Sequence, residues 1–518
     1  MYYKDKLCKL TRNIYRFCYD KDKIYVYGAG RFGKGMFYFL KENLIDVDGF
    51  IVSDDGRREC CGIPVYCCKE FEKRNNEKCG IVGAFLGCDD LFIRNKVGEE
   101  VATLCFSEEE LHILMLSGIF EYITTNKDFV CGAKPVKKIQ EWKNILIVRL
   151  DVIGDLVLTT PLIREVRYNC PDSNITLVVR KQNVDLFKNC PYISKLLLYE
   201  CDSIDGIGYN NKQELISANL YSKIFAEKYF NENIKYDVAI MPCLFMEGRY
   251  AIETLLLAYA SGANSFISRV ARYKAGSNII YRMFKNKISV LHYQKELKHE
   301  VVNMLDMLEE CGGNVYNDEM ELWPDNNDIQ YAEKILAGHK FDYCIVLGLV
   351  GSTPDKNWPT RKFSDLIGLI CNSNPDKDFY FVMIGGNEAI KAGAEVREQQ
   401  VKYKDKILDL TGKTSLAQAT AIIKLCKLYI GADTGIKHIA SAVKIPVVEL
   451  SIALPKATAS DNILPENIGP WKVNNFVFRP KKALPGCEKY GRCKIPSHCI
   501  TQISVEEVEM AVEKLLNF

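Results

Sequence analysis

Short apolar runs rich in β-branched residues recur along the chain, each followed by a turn and then by apolar positions at helical spacing. The first is KIYVY at 23–27, which leads through GAGRFG into an amphipathic stretch reaching about Leu44. The second is NILIVRL at 144–150, followed by DVIGD and a helical stretch that contains Pro161. The third series comprises YCIVL at 343–347, FYFVMIGG near 379–386, KLYIGADTG near 427–435 and IPVVEL at 445–450. Unbroken apolar strands separated by helical patterns predict parallel sheets joined by crossover helices. The chain therefore reads as α/β, in three units at about 1–131, 144–325 and 330–518. The seams near 132–143 (GAKPVKKIQEWK) and 323–330 (WPDNNDIQ) have the polar, proline-containing composition of linkers. At the C-terminal end, Ser504–Leu516 predicts an amphipathic helix with Ser504 and Glu507 as a capping box.

A length of 518 residues agrees with several domains rather than one. A formal charge of +2, from 68 Lys+Arg against 66 Asp+Glu, argues against a whole-protein grip on nucleic acid. No apolar run approaches the 18 or more residues of a membrane span, and the N-terminus lacks the pattern of a signal peptide. The 21 cysteines are scattered, and no two have CxxC spacing. They fit a reducing cytoplasm, with most of them acting as small core hydrophobes. That includes the dense group Cys60, Cys61, Cys67, Cys68, Cys79 and Cys88.

In the first unit, Gly28, Gly30 and Gly33 form GxGxxG between a strand and a helix. Such glycines allow a tight turn, a close approach to a diphosphate and close helix–strand packing. The next strand ends near Asp54, about 20 residues on, where a ribose-binding carboxylate would stand. A candidate nucleotide site and a glycine turn without ligand both stay open. No Tyr-x-x-x-Lys pair follows Gly33, which weighs against an NAD-dependent reductase or epimerase. The GAG turn, the GFIVSDD strand and the later GIPVY resemble a small N-terminal domain of bacterial sugar-modifying proteins.

In the later units, Asp155 opens a helix just after a buried strand. A carboxylate there serves either as a helix cap or as a base at a cleft edge. Asp151, four residues earlier, is an alternative base. Lys356 and Ser352 lie in a flexible GSTPDK loop suited to phosphate oxygens. Asp433, Thr434 and Gly435 open another helix, with His438 in its first turn, and the helix N-terminus favours an anion. Phe266–His299 carries eight Lys/Arg against one acid, with aromatics interleaved. It reads either as a solvated face or as a surface for a phosphorylated or lipid-linked partner at a membrane. Cys487, Cys493 and Cys499, with His498, sit in a Gly/Pro-rich tail and read as loop packing, a disulfide or a metal site.

Three segments together resemble glycosyltransferase family nine, the lipopolysaccharide heptosyltransferases. They are NILIVRLDVIGDLVLTTPLIREVRYNCPDSNITLVVR (144–180), GLVGSTPDKNWPTRKF (348–363) and DLTGKTSLAQATAIIKLCKLYIGADTGIKHIASAVKIPVVEL (409–450). The resemblance implies a GT-B fold, two Rossmann-like domains facing a cleft, here preceded by an extra small Rossmann-like domain. It implies an inverting, metal-independent transferase that needs no cofactor and uses a nucleoside-diphosphate sugar as donor. The acceptor would be a lipid-linked or phosphorylated glycan precursor, met in the cytoplasm or at the inner face of its membrane, with no nucleic-acid partner. Asp155 matches the family's catalytic base. Ser352, Lys356, Glu388, Thr414, Asp433, Thr434, Gly435 and His438 fall at donor-side positions. The family's Gly-Pro-Thr-like turn is replaced by SIALPKATASDN after VVEL, so the sugar is not carried over. A non-catalytic GT-B scaffold is the remaining alternative.

Overall fold

The computed structural model describes residues 2–517 except 30, 54–58, 73–78, 85–89, 98–100, 108–109, 112–113, 115–134, 200–229, 231–233, 245–250, 272–287, 295, 458–463, 488–492 and 494. Three six-stranded sheets organise it. The first holds β1 (Lys23–Tyr27), β2 (Gly49–Val52), β3 (Glu59–Cys60), β4 (Ile63–Cys67), β5 (Cys79–Gly83) and β6 (Ala102–Leu104) in the order β3-β4-β2-β1-β5-β6. Only the β3–β4 pair is antiparallel.

The second sheet holds β7 (Asn144–Val148), β8 (Asn174–Arg180), β9 (Lys195–Tyr199), β10 (Val238–Leu244), β11 (Ser265–Ala271) and β12 (Val290–Gln294). Its order is β12-β11-β10-β7-β8-β9, parallel throughout. The third holds β13 (Tyr343–Gly348), β14 (Phe379–Met383), β15 (Ile407–Asp409), β16 (Leu428–Ala432), β17 (Val447–Leu450) and β18 (Asn475–Phe478). Its order is β15-β14-β13-β16-β17-β18, also parallel. In all three sheets the first strand is internal, and the chain winds outward from it in both directions. The loop that leaves that strand's carboxyl end therefore lies at a topological switch point, where adjacent crossovers diverge and leave a crevice.

The apolar strands are buried as their composition predicts: Ile145–Val148, Cys344–Leu347 and Leu428–Ile430 are all 0% exposed. One apolar cluster runs from Ile14, Phe37 and Phe50 of the first unit to Leu146, Val148 and Leu257 of the second. Another joins Ile147 and Met304 of the second unit to Val346, Tyr429 and Ile439 of the third.

Some local expectations change. The stretch containing Pro161 is two helices, Ile153–Leu158 and Thr160–Asn169, with the proline in the first turn of the second, where its missing N–H costs nothing. The second seam is shorter than its composition suggests. Asp325 caps a helix over Asn326–Ala337 through a reciprocal box with Asp328, so half of the expected linker is helical. The C-terminal helix Val505–Leu516 has its Ser504–Glu507 box. Its buried Val508, Ala511 and Val512 pack with Phe363 and Ile367, inside the third unit rather than across two units. No described helix is long and apolar enough to cross a membrane.

Candidate active site

Arg149 follows β7 and is 2% exposed, with its guanidinium between two carboxylates. Nε lies 3.3 Å from Asp151 Oδ2, and Nη2 lies 3.5 Å from Asp155 Oδ1. The carbonyl of Asp151 accepts from Arg180 and Asn183 at 3.3 and 3.4 Å, and its side chain is only 11% accessible. The side chain of Asp155 is 35% accessible, so it is the carboxylate open to the cleft. Asp155 is the third residue of its helix. The cap position belongs to Val152, which makes no side-chain bond, so the capping role considered for Asp155 does not hold. Burial is the largest influence on the Asp155 carboxyl and raises its pKa to about 6; Arg149 pulls it down and Asp151 pushes it up. With a third of the side chain facing the cleft, that burial is the wall of a recess rather than a sealed core.

The facing wall comes from the third sheet. The loop after β13 ends in a short turn, Pro354–Lys356. Lys356 Nζ donates to Asp433 Oδ2 at 2.7 Å and to the Asp433 carbonyl at 3.2 Å. The other Asp433 oxygen accepts from Lys437 at 2.6 Å. Lys437, 0% exposed, also donates to Glu449 Oε2 at 3.2 Å and to the Ile468 carbonyl at 2.7 Å. Burial opposes ionisation of Asp433, but Lys437 and Lys356 outweigh it and hold the carboxyl far below the usual range. Burial lifts Glu449 to about 7 against the pull of Lys437. Near neutral pH the two lysines thus face one full carboxylate and one partly protonated carboxyl.

The helix Gly435–Ala442 begins beside this cluster. Its cap residue, Thr434, makes no side-chain bond to the helix, and the Thr434 Oγ1 is 3.4 Å from Tyr429 Oη. The first N–H groups of that helix and Lys356 face the same cleft, an arrangement that suits a diphosphate, while Lys437 lies buried behind Asp433. His438 is 4% exposed, and burial with the neighbouring Lys437 pushes its pKa well below the ordinary value, so the ring is neutral.

The two walls touch through glycines. A Cβ on Gly154 would lie 2.7 Å from His438 Cδ2, and one on Gly435 would lie 2.7 Å from Ile153 Cβ. Between the walls is a cleft of about 950 Å³. Asp155, Ser352, Lys356, Glu388, Thr414, Asp433, Thr434, Gly435 and His438 all line it. Glu388 stands exposed at the rim and accepts the Gly386 N–H at 3.1 Å. Trp358 does not reach the cleft; it is 1% exposed and donates to the Ile503 carbonyl.

Other candidates fall outside the cleft. Gly28 has φ +104°, and a Cβ on Gly33 would lie 1.7 Å from the Gly28 carbonyl oxygen, so these glycines build a tight strand–helix turn. Gly30 and Asp54 lie outside the described residues. So does 272–287 of the basic stretch. Arg269, from the same stretch, is 1% exposed and pairs with Glu300, which leaves it no part in a charged surface. The signal missed in the sequence was Lys437, four residues after Asp433: Asp433 precedes the helix cap and Lys437 stands in the first turn, where the two pair. Arg149 and Glu449 carried no such signal, because each sits in a strand or loop and meets its partner only through the fold.

Residues 271–479 match the sequence profile of glycosyltransferase family 9 (heptosyltransferase). The chain is thus heptosyltransferase-like, a glycosyltransferase with a family 9 region. It is 24% identical over 369 residues to lipopolysaccharide heptosyltransferase 3 of Escherichia coli K12, covering 70% of this chain and 95% of that protein. It is 20% identical over 382 residues to the lipopolysaccharide core heptosyltransferase OpsX of Haemophilus influenzae, covering 72% and 97%. In fold it is similar to a family 9 glycosyltransferase from Veillonella parvula, with TM-score 0.55, 20% identity and coverage of 74% and 99%. It is also similar to the E. coli ADP-heptose heptosyltransferase II, with TM-score 0.51, 16% identity and coverage of 72% and 98%. The fold shared with these structures is GT-B. These relatives are spanned almost end to end by about seven-tenths of the chain, so a substantial part of it is additional to them.

Proposed function

We propose that this glycosyltransferase moves a heptose or related sugar, with inversion and without a catalytic metal, from a nucleoside diphosphate to a lipopolysaccharide or other cell-surface glycan precursor. The observation that carries the reading is one cleft with an open carboxylate on one wall and Lys356 with a helix N-terminus on the other. Asp155 accepts the proton of the acceptor hydroxyl as that oxygen bonds to the anomeric carbon from the face opposite the leaving group. The bond from that carbon to the diphosphate breaks, and its electron pair leaves with the diphosphate. Lys356, Thr434 and the N–H groups near Gly435 line the wall where that charge develops, so the protein's own donors serve the leaving group. Arg149 keeps Asp155 oriented toward the cleft.

The relatives support the substrate class. The structure of the E. coli heptosyltransferase WaaC with ADP, which resembles this chain at TM-score 0.50, supports a nucleoside-diphosphate donor. The named lipopolysaccharide heptosyltransferases support the acceptor class. In the test, Asp155→Ala is assayed for sugar transfer and for nucleoside-diphosphate binding. The expected result is loss of transfer with binding retained. Transfer that survives the substitution, or binding lost with it, would refute the assignment.

A further inference from the structure

Outside the cleft, four soft ligand groups converge at one point in the C-terminal tail. Cys487, Cys493 and Cys499 are each 0% exposed, and His498 lies beside them. The Sγ atoms of Cys487 and Cys493 are 3.4 Å apart. His498 Nδ1 is 3.5 Å from Cys487 Sγ, 3.6 Å from Cys493 Sγ and 3.5 Å from Cys499 Sγ. All four ligand atoms lie within 4.8 Å of one another. A tetrahedral zinc site with bonds of about 2.3 Å to sulfur and 2.0–2.1 Å to nitrogen has edges of about 3.5–3.8 Å. The Cys487–Cys493 separation and the three to His498 are close to that size, and the two from Cys499 to the other sulfurs lie within 4.8 Å. Thiols packed as core hydrophobes point at apolar neighbours; these point at one another and at a ring nitrogen. None of the four lines the cleft.

We propose that Cys487, Cys493, His498 through Nδ1, and Cys499 hold one structural zinc ion that clamps the 482–503 tail beneath the Lys356 turn. Three sulfurs and one imidazole in a closed tetrahedron favour zinc, and no position is left open for substrate. Binding ionises the three thiols and releases their protons to solvent. The clamp follows from Ser497, which sits between two of the ligands. Its Oγ donates to the Asn357 carbonyl at 3.0 Å and its N–H to the Pro354 carbonyl at 3.4 Å. Lys362 Nζ adds bonds to the Thr501 and Ile503 carbonyls at 2.6 and 2.7 Å. The tail thus grips both sides of the turn that carries Lys356. The clamp, unlike the metal site itself, rests on the reading of Lys356 as a donor ligand.

The test uses the full chain, prepared without a metal-chelate step, with zinc and iron measured by elemental analysis. About one zinc per chain is expected, with X-ray absorption showing three sulfurs at about 2.3 Å and one nitrogen at about 2.0 Å. Cys493→Ser is expected to lose the zinc, whereas Cys371→Ser, at a buried cysteine elsewhere, is expected to keep it. Should Cys493→Ser not fold, titration of the unmodified chain with a mercurial reagent reads the same point, since zinc release should follow modification of the cluster thiols. Zinc far below one per chain, iron in its place, or zinc retained by Cys493→Ser would overturn the site. If zinc is lost while nucleoside-diphosphate affinity stays unchanged, the clamp fails. If zinc is present but no nucleoside diphosphate binds, the donor reading fails while the metal site stands.

Discussion

The contact between Gly154 and His438 is where the two lobes of the cleft meet most closely, and it turns a single methyl group into a probe of their docking. In Gly154→Ala the new Cβ would lie 2.7 Å from His438 Cδ2 and 3.2 Å from its Nε2. Non-bonded carbons rest at about 3.5–4.0 Å, so an overlap of about 1 Å must be relieved. The ring has little room to turn, being 4% exposed. Overpacking of this kind costs about 1–3 kcal/mol. Because the clash lies between lobes, its cheapest relief is for them to part, which also moves Asp155 away from the donor wall. The cost then falls on transfer and lowers kcat/KM by about 5- to 150-fold. Affinity for a nucleoside diphosphate, which rests on the third unit alone, should change little. The assay is a double-mutant cycle with His438→Ala, following kcat/KM, diphosphate affinity and the thermal midpoint. Removing the ring removes the clash, so Gly154→Ala should cost far less in the His438→Ala background than alone. Equal costs in both backgrounds, or a Gly154→Ala chain with unchanged kcat/KM, would show that the lobes do not dock as described.

The acid–base groups give three further expectations. A base must be ionised, so kcat should fall about tenfold per pH unit below about pH 6, where Asp155 titrates; a flat profile there would exclude it. The same raised pKa means that folded protein binds more protons than unfolded between about pH 4 and 6, so stability falls as pH rises through that window. Asp155→Asn should therefore be inactive yet melt higher than the unmodified chain at pH 7; a lower melting point would contradict this sign. Glu449, at about 7, is partly ionised beside Lys437, and a bound diphosphate should drive its protonation. Calorimetry in buffers of different ionisation enthalpy should show proton uptake on binding, absent in Glu449→Gln. Finally, Lys356→Ala removes a charge-assisted partner worth about 1.5–3 kcal/mol, so diphosphate affinity should drop by about 10- to 150-fold; an unchanged affinity would remove Lys356 from the donor site.

What could be read in the chain, and what could not, follows from how far each determinant reaches along it. Strand, turn and helix in 144–169 and 427–442 are adjacent in sequence, so their periodicity alone located the two walls of the cleft. The places of Asp155, Lys356 and Asp433 were legible for the same reason, since each occupies the short loop or first turn after an unbroken apolar strand of a parallel sheet, whereas their roles rested on the family resemblance. Their electrostatic settings were not legible. Glu449 lies on β17 and reads as one polar residue in an apolar strand; only the register of β16 with β17 brings it to Lys437. Arg269 looked like part of a basic surface because charge counts along a stretch ignore the inward face of a strand, where it meets Glu300. Val152 took the helix cap considered for Asp155 because the helix starts three residues sooner than a cap at the carboxylate would place it.

The same reasoning explains why the meeting of the tail cysteines stayed ambiguous while the glycine turn, though not its ligand, was legible. GxGxxG constrains a turn closed within six residues, and the structure builds that turn from Gly28 and Gly33. The spacing of Cys487, Cys493 and Cys499 fits no short zinc knuckle, so nothing in the sequence says that the sulfurs meet. Near Cys499 the backbone makes a reversal at Ser497, φ +44°, and His498 is turned toward the sulfurs. That reversal leans on the turn that bears Lys356. A tail with little periodicity of its own is thereby tied to the donor wall, whereas the first unit, whose periodicity is clear, contributes no described residue to the cleft.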